Sequence, residues 1–222
     1  MNDSRPKIVA FDLDGTLIDS LPGIEYSVAF AIGQCGLSPK SIDLRAVIGP
    51  PIRDILGTLT GTRGPDLDQL ENAFRRSYDT EGWTRTNLYP ETSSVLATMH
   101  DAGLRLFVVT NKPIQVSMRI LECTQIGHWF ERVITPDSRS PCYASKSEML
   151  NAVLASCDVR SSDCMFIGDT EEDGIAAATC GMKFAHVTYG YGRIGETPTF
   201  AVCSRISELF HLLGMNSTGV YS

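Results

Sequence analysis

Long apolar runs are missing from this sequence. None of its apolar stretches approaches the ~20 residues needed to cross a bilayer, so no membrane span is expected. Basic clusters are missing too. Lys and Arg total 19 against 26 Asp and Glu, a formal net charge of −7. A dispersed, acidic charge pattern argues against binding to a nucleic-acid polymer or to an anionic membrane surface. The seven cysteines are odd in number and irregularly spaced, and no two form a CxxC pair. That pattern argues against a disulfide framework or a zinc knuckle and favours a reducing, cytoplasmic setting. His100, His128, His186 and His211 stand alone, without metal-ligand spacing. The stretch from Met1 to Lys7 is polar, so no signal peptide is expected. Internal repeats and low-complexity tracts are absent.

What is present is ordinary globular material. Hydrophobic residues make up 43% of the 222 positions, enough for a core without staples. Lys7–Phe11, Leu104–Val109, Arg132–Thr135, Cys164–Ile167 and Lys183–Val187 are apolar runs of strand length. Helical patterns lie between them, at Thr92–Ala102, Pro113–Cys123, Ser147–Ser156 and Glu171–Thr179. This alternation predicts an α/β fold: a Rossmann-like parallel sheet with helices on both faces. One stretch breaks it. Between Leu21 and Asn87 only helix-like segments occur: Ile24–Gly33, Ile42–Val47, Ile52–Leu59 and Leu67–Tyr78. The expected organisation is a core of residues 1–18 and 88–222 with an all-helical cap inserted at 19–87.

The chemistry concentrates at the ends of the expected strands. Asp12 and Asp14 follow the first strand within Asp12-Leu13-Asp14-Gly15-Thr16. Two residues apart on extended chain, their carboxylates point to one side, and Gly15 permits a sharp turn. Two such acids are costly unless a cation or a reacting group meets them. In open α/β sheets that edge is where ligands bind. Thr110-Asn111-Lys112 follows another strand, Lys146 opens a helix, and Gly168-Asp169-Thr170, with Asp173, follows a third strand. Taken singly, Thr110 and Asp169 also read as helix caps and Lys146 as a solvated lysine. Neighbouring strands would bring all of them together.

These motifs resemble those of the haloacid dehalogenase superfamily, in order and spacing, over nearly the whole chain. The helical insertion after the first motif is similar to the phosphoglycolate-phosphatase-like branch. Ile48-Gly-Pro-Pro-Ile52, Ser145-Lys-Ser-Glu-Met-Leu150 and Val187-Thr-Tyr-Gly-Tyr-Gly192 resemble phosphoglycolate phosphatases or 5′-nucleotidases within it. Ser147 after Lys146 departs from the Lys-Pro pair of many relatives. The resemblance implies a Mg²⁺-dependent phosphatase acting on a small phosphorylated metabolite, as a monomer or homodimer. It implies Asp12 as nucleophile, Asp14 as acid/base, and Asp12, Asp14 (through its carbonyl), Asp169 and Asp173 around the metal. Thr16, Thr110, Asn111 and Lys146 would serve the phosphoryl group. The second aspartate, Asp14, favours phosphate-ester hydrolysis or mutase chemistry over dehalogenation. Arg53, after the Gly49-Pro50-Pro51 break, is the expected cap residue for a substrate carboxylate or second phosphate. A phosphosugar mutase and a non-catalytic phosphate-binding regulator remain alternatives, though the latter should have lost a catalytic group and none is missing. Phosphonate hydrolysis would need a cap lysine, and the cap offers only Lys40 beside Pro39.

Overall fold

The computed structural model describes residues 6–215. Most of the polar opening stretch, and the last seven residues of the expected core, lie outside the described residues. In chain order the elements are β1 (Ile8–Phe11), β2 (Ile18–Asp19), α1 (Leu21–Gln34), α2 (Ile52–Thr60), α3 (Gly64–Tyr78), β3 (Asn87–Leu88), α4 (Thr92–Asp101), β4 (Arg105–Val109) and α5 (Ile114–Cys123). Then follow β5 (Phe130–Ile134), α6 (Lys146–Ala155), β6 (Cys164–Gly168), α7 (Glu171–Thr179), β7 (Lys183–Val187), β8 (Ala201–Cys203) and α8 (Leu209–Leu212).

Six strands form one parallel sheet in the order β5-β4-β1-β6-β7-β8. Strand alternation sorts the core into two layers. Val9, Phe11, Leu106, Val108, Met165 and Ile167 pack on one face with residues of α4, α5 and α8. Ile8, Ala10, Phe107, Val109, Cys164 and Phe166 pack on the other, against α6 and α7. Such strands, buried on both faces, read in sequence as continuous apolar runs. The sheet is the expected α/β architecture.

The register decides where the site falls. Phe11 pairs with Val108 on one side and Ile167 on the other. The residues just beyond these strand ends, Asp12, Thr110 and Asp169, therefore leave the same edge of the sheet. β1 lies between β4 and β6, where the chain's crossovers diverge, the position at which open α/β sheets bind ligands.

The segment between β2 and β3 is helical throughout its regular elements. β2 and β3 pair antiparallel, Ile18 with Leu88 and Asp19 with Asn87, so its entry and exit lie side by side. α1 and α3 pack together through a shared buried layer that includes Ile24, Val28, Leu70 and Phe74. Three local features differ from expectation. α1 begins at Leu21, earlier than the periodicity indicates, because Pro22 fits a first turn. The helix expected at Ile42–Val47 is a single 3₁₀ turn, Leu44–Ala46, in which the Asp43 side chain caps the Arg45 N–H. β8 was not expected: its three residues are too short for a periodic signal.

Candidate active site

Asp12 is 5% exposed at the end of β1, and its N–H donates to the Ile167 carbonyl at 2.8 Å. Lys146, 3% exposed at the start of α6, places Nζ 3.2 Å from Asp12 Oδ1 and 2.6 Å from Asp173 Oδ1. One lysine thus bridges two buried carboxylates. Ser145 caps its helix by accepting the Glu148 N–H, which sets where α6 starts.

Asp173 is held by a reciprocal cap. Thr170 Oγ1 accepts the Asp173 N–H, while Asp173 Oδ2 accepts from the Thr170 N–H and hydroxyl at 3.0 and 2.7 Å. Asp169 is fully buried. Its Oδ2 accepts the N–H groups of Tyr191 and Gly192 at 2.8 and 2.9 Å. Its Oδ1 has no hydrogen-bond partner. An orphaned carboxylate oxygen in a buried site calls for a cation or water. Asp12, Asp169 and Asp173 each offer an oxygen within 4.8 Å of the others, a donor set that suits a hard divalent cation.

The electrostatics agree. Burial pushes the Asp12 carboxyl well above its usual range; Lys146 pulls it back, and Asp173, Asp169 and Asp14 push it up again. Burial and then the Asp173 charge raise Asp169 to about 6, against the pull of the Gly192 and Tyr191 N–H groups. Burial lowers the Lys146 ammonium, but Asp12 and Asp173 outweigh it and hold it above the ordinary lysine value. Three buried carboxylates beside one lysine leave excess negative charge that a cation would balance.

Backbone crowding shapes the same spot. Gly15 has φ +78°, and a Cβ there would lie 2.3 Å from Asp169 Oδ2. A Cβ on Gly190 would lie 2.3 Å from the Gly15 carbonyl and 2.5 Å from Asp169 Oδ2. Only glycine lets these two loops close around the carboxylate.

Asp14 receives the Ser20 hydroxyl on Oδ1 and Lys112 Nζ at 3.0 Å on Oδ2. Lys112 is buried and lies 4.8 Å from the centre of the Tyr78 ring on α3. Burial pulls the Lys112 ammonium down, but Asp14 and Tyr78 together outweigh it and hold it above the ordinary lysine value. Thr110 is 1% exposed and its Oγ1 accepts the Lys112 N–H at 3.2 Å. Asn111 Nδ2 donates to Glu172 at 3.0 Å.

A cavity of about 120 Å³ opens above this edge, lined by Asp12, Asp14, Thr110, Asn111, Lys146 and Asp169 on the sheet side. Its far wall comes from α1, α2, α3 and the Ile48–Pro51 turn. Asp173 lies behind Lys146. Thr16 is fully buried, its hydroxyl makes no hydrogen bond, and it is not part of the lining. Arg53 stands outside the lining, with its guanidinium 2.6 Å from Asp68 and 2.9 Å from Glu71.

Three contributors escaped the sequence reading. Lys112 sits inside the recognised Thr110-Asn111-Lys112 tract, yet its pairing with Asp14 joins the loops after two neighbouring strands, β4 and β1. Tyr191 donates from its backbone to Asp169, and its hydroxyl meets Asp19 and the Ser20 and Leu21 N–H groups. The glycine-flanked loop around Tyr191 was the available signal. Arg75 lines the cavity from α3.

Fold and site together define a hydrolase of the α/β class. The chain belongs to the haloacid dehalogenase-like hydrolase family, whose model matches residues 9–187. It is 33% identical over 216 residues to the tyrosine-protein kinase PtkA of Mycobacterium tuberculosis, covering 95% of this chain and 73% of that protein. The solved structure of PtkA superposes with a TM-score of 0.81 at 31% identity, covering 95% of this chain and 99% of that one. Phosphoglycolate phosphatase from Vibrio cholerae is 31% identical over 201 residues, covering 83% of this chain and 85% of that protein. A haloacid dehalogenase-like hydrolase from Streptococcus pneumoniae matches with a TM-score of 0.86 over 96% of this chain and 99% of its own; at 22% identity it speaks to the fold alone. The chain is a phosphatase, a phosphoric monoester hydrolase of this family. No helix among the described residues is long and apolar enough to cross a membrane.

Proposed function

We propose that this phosphatase is Mg²⁺-dependent and hydrolyses a small phosphomonoester through an aspartyl-phosphate on Asp12. The supporting observation is the placement of Asp12 between Lys146 and the unpartnered Asp169 oxygen. In this reading Asp12, Asp169 and the Asp14 carbonyl hold Mg²⁺, with Asp173 beside them. Bound there, the ion would neutralise charge on the transferring phosphoryl group.

Asp12 attacks phosphorus, splitting one hard displacement into two easier ones. Asp14 gives a proton to the leaving oxygen and later takes one from the attacking water. Ser20 and Lys112 orient Asp14 for both steps. The Thr110 hydroxyl, Asn111 and Lys146 hold the equatorial oxygens. Thr16 ties this loop to Tyr189, whose hydroxyl donates to its carbonyl at 2.8 Å. Residues 19–87 act as a cap that keeps bulk water from the intermediate, with residues 1–18 and 88–222 as its core.

Phosphoglycolate and 5′-nucleotides are the substrates brought forward by the relatives' names and by the sequence tracts; a mutase would need a second phosphate site. Seven free cysteines suit a cytoplasmic setting, and the working form is a monomer or homodimer. The test is turnover of 4-nitrophenyl phosphate with and without Mg²⁺. Wild type should turn over only with Mg²⁺, and Asp12→Asn should be inactive. Undiminished activity in Asp12→Asn overturns the reading, as does phosphoryl transfer from ATP to a tyrosine peptide in place of hydrolysis.

A further inference from the structure

The two ends of the cavity differ in chemistry. The sheet end carries the acids and Lys146. The far end is walled by Ile24 of α1, Ile48, Ile52 and Ile55 around α2, Phe74 of α3, and Val116 of α5. Phe74 and Tyr78 stack at 5.2 Å and 12° between rings, giving that wall a flat aromatic face.

Every cation that lines the cavity already has a carboxylate. Lys146 holds Asp12 and Asp173. Lys112 holds Asp14. Arg75 directs Nε and Nη2 to Glu71 at 3.1 and 2.8 Å. Arg53 is outside, bound to Asp68 and Glu71. The remaining carboxylate toward the cap is Asp79. A leaving group bearing a carboxylate or a second phosphate would face Asp14 and Asp79 and would have to compete with Glu71 for Arg75. Burying an unpaired charge costs far more than burying an apolar ring.

The volume sets a size. About 120 Å³ is close to the ~150 Å³ of a cavity that holds a single benzene ring. The leaving group is therefore no larger than about one ring.

Resting on the phosphatase reading above, we infer that the substrate is a phosphomonoester whose leaving group is uncharged, apolar and about one ring in size. The isoleucine and aromatic walls of the cap select it. Ester bond, nucleophile and proton transfers are those of the proposed reaction; only the group released as the alcohol is specified.

The comparison that tests this uses esters of matched reactivity. Benzyl phosphate, 4-carboxybenzyl phosphate and phosphoglycolate are all alkyl esters, so intrinsic leaving-group chemistry differs little. With wild-type full-length protein and Mg²⁺, benzyl phosphate should exceed the other two at least tenfold in kcat/KM. Ile52→Lys, which puts a cation on the apolar wall, should narrow or invert that preference by lifting 4-carboxybenzyl phosphate. Ile52 is only partly buried, so the fold should tolerate it. Phosphoglycolate equal to or better than benzyl phosphate overturns the inference while leaving the phosphatase reading intact. Turnover of none of the esters, 4-nitrophenyl phosphate included, overturns both. Should Ile52→Lys fail to fold, the wild-type series alone still decides.

Discussion

Replacing Lys146 with methionine removes a charge while keeping most of the side chain's volume. In the wild-type protein Nζ lies 2.6 Å from Asp173 and 3.2 Å from Asp12, with all three side chains almost wholly buried. Without it, Asp12, Asp169 and Asp173 face one another within 4.8 Å and have no cation. Breaking a buried ion pair from one side costs about 3–5 kcal/mol, because the surviving charge is left uncompensated. Two like charges at ~4 Å repel by about 4 kcal/mol at an effective dielectric constant of ~20, the same order. For a chain of 222 residues, each kcal/mol moves Tm by about 2–4 °C. Lys146→Met should therefore melt about 6–20 °C below wild type in EDTA. Millimolar Mg²⁺ should recover at least half of that loss, since a divalent cation supplies the missing charge. Activity should not recover with it, because a phosphoryl contact is gone; kcat should stay down about 10²–10³-fold. Thermal melts with and without Mg²⁺ measure the first effect and steady-state kinetics the second. A melt in EDTA within 2 °C of wild type, or a deficit that Mg²⁺ leaves untouched, would refute the idea that these groups form one electrostatic unit.

Three further outcomes are expected. Asp169 is raised to about 6, against about 3.9 in the unfolded chain, so the folded state holds more protons between those values. The metal-free protein should lose about 2 kcal/mol as pH rises from 4 to 7. The Mg²⁺-induced rise in Tm should then be larger at pH 7.5 than at pH 5, and an equal rise at both would contradict this. Lys112→Met should lower kcat about tenfold through Asp14 while leaving the Mg²⁺-induced Tm rise intact; a lost metal response would place Lys112 in a different role. Gly190→Ala drives a Cβ to within 2.5 Å of Asp169 Oδ2. It should cost about 1–3 kcal/mol and weaken Mg²⁺ binding in a calorimetric titration, because the Tyr191 and Gly192 N–H groups leave Asp169.

The strand ends were legible in the sequence because their signals are local. An apolar run followed by Asp12-Leu13-Asp14-Gly15 marks a buried strand and a turn without knowledge of its neighbours. The same holds for Thr110 and Asp169, and the sheet order then brings them beside Asp12. Partner choice was not legible. Lys112 pairs with Asp14 across 98 positions of sequence, and Tyr191 reaches Asp169 from the other side. Arg53 and Arg75 illustrate the same point. Both are cap arginines, but the packing of α2 against α3 turns Arg53 to Asp68 and Glu71 while Arg75 lines the cavity. Helical periodicity ranks neither above the other. β8 escaped because three residues beside a short loop carry no period.

The account turns on Asp12 forming a covalent bond to phosphorus. The direct measurement is acid quenching of the wild-type protein during turnover of benzyl phosphate with Mg²⁺, followed by peptide mapping by mass spectrometry. The account predicts an acid-stable, alkali-labile phosphoryl adduct on Asp12, absent from Asp12→Asn and from samples quenched in EDTA. A phosphoryl group on any other residue, or turnover with no adduct on Asp12 even in rapid-quench samples, would contradict it.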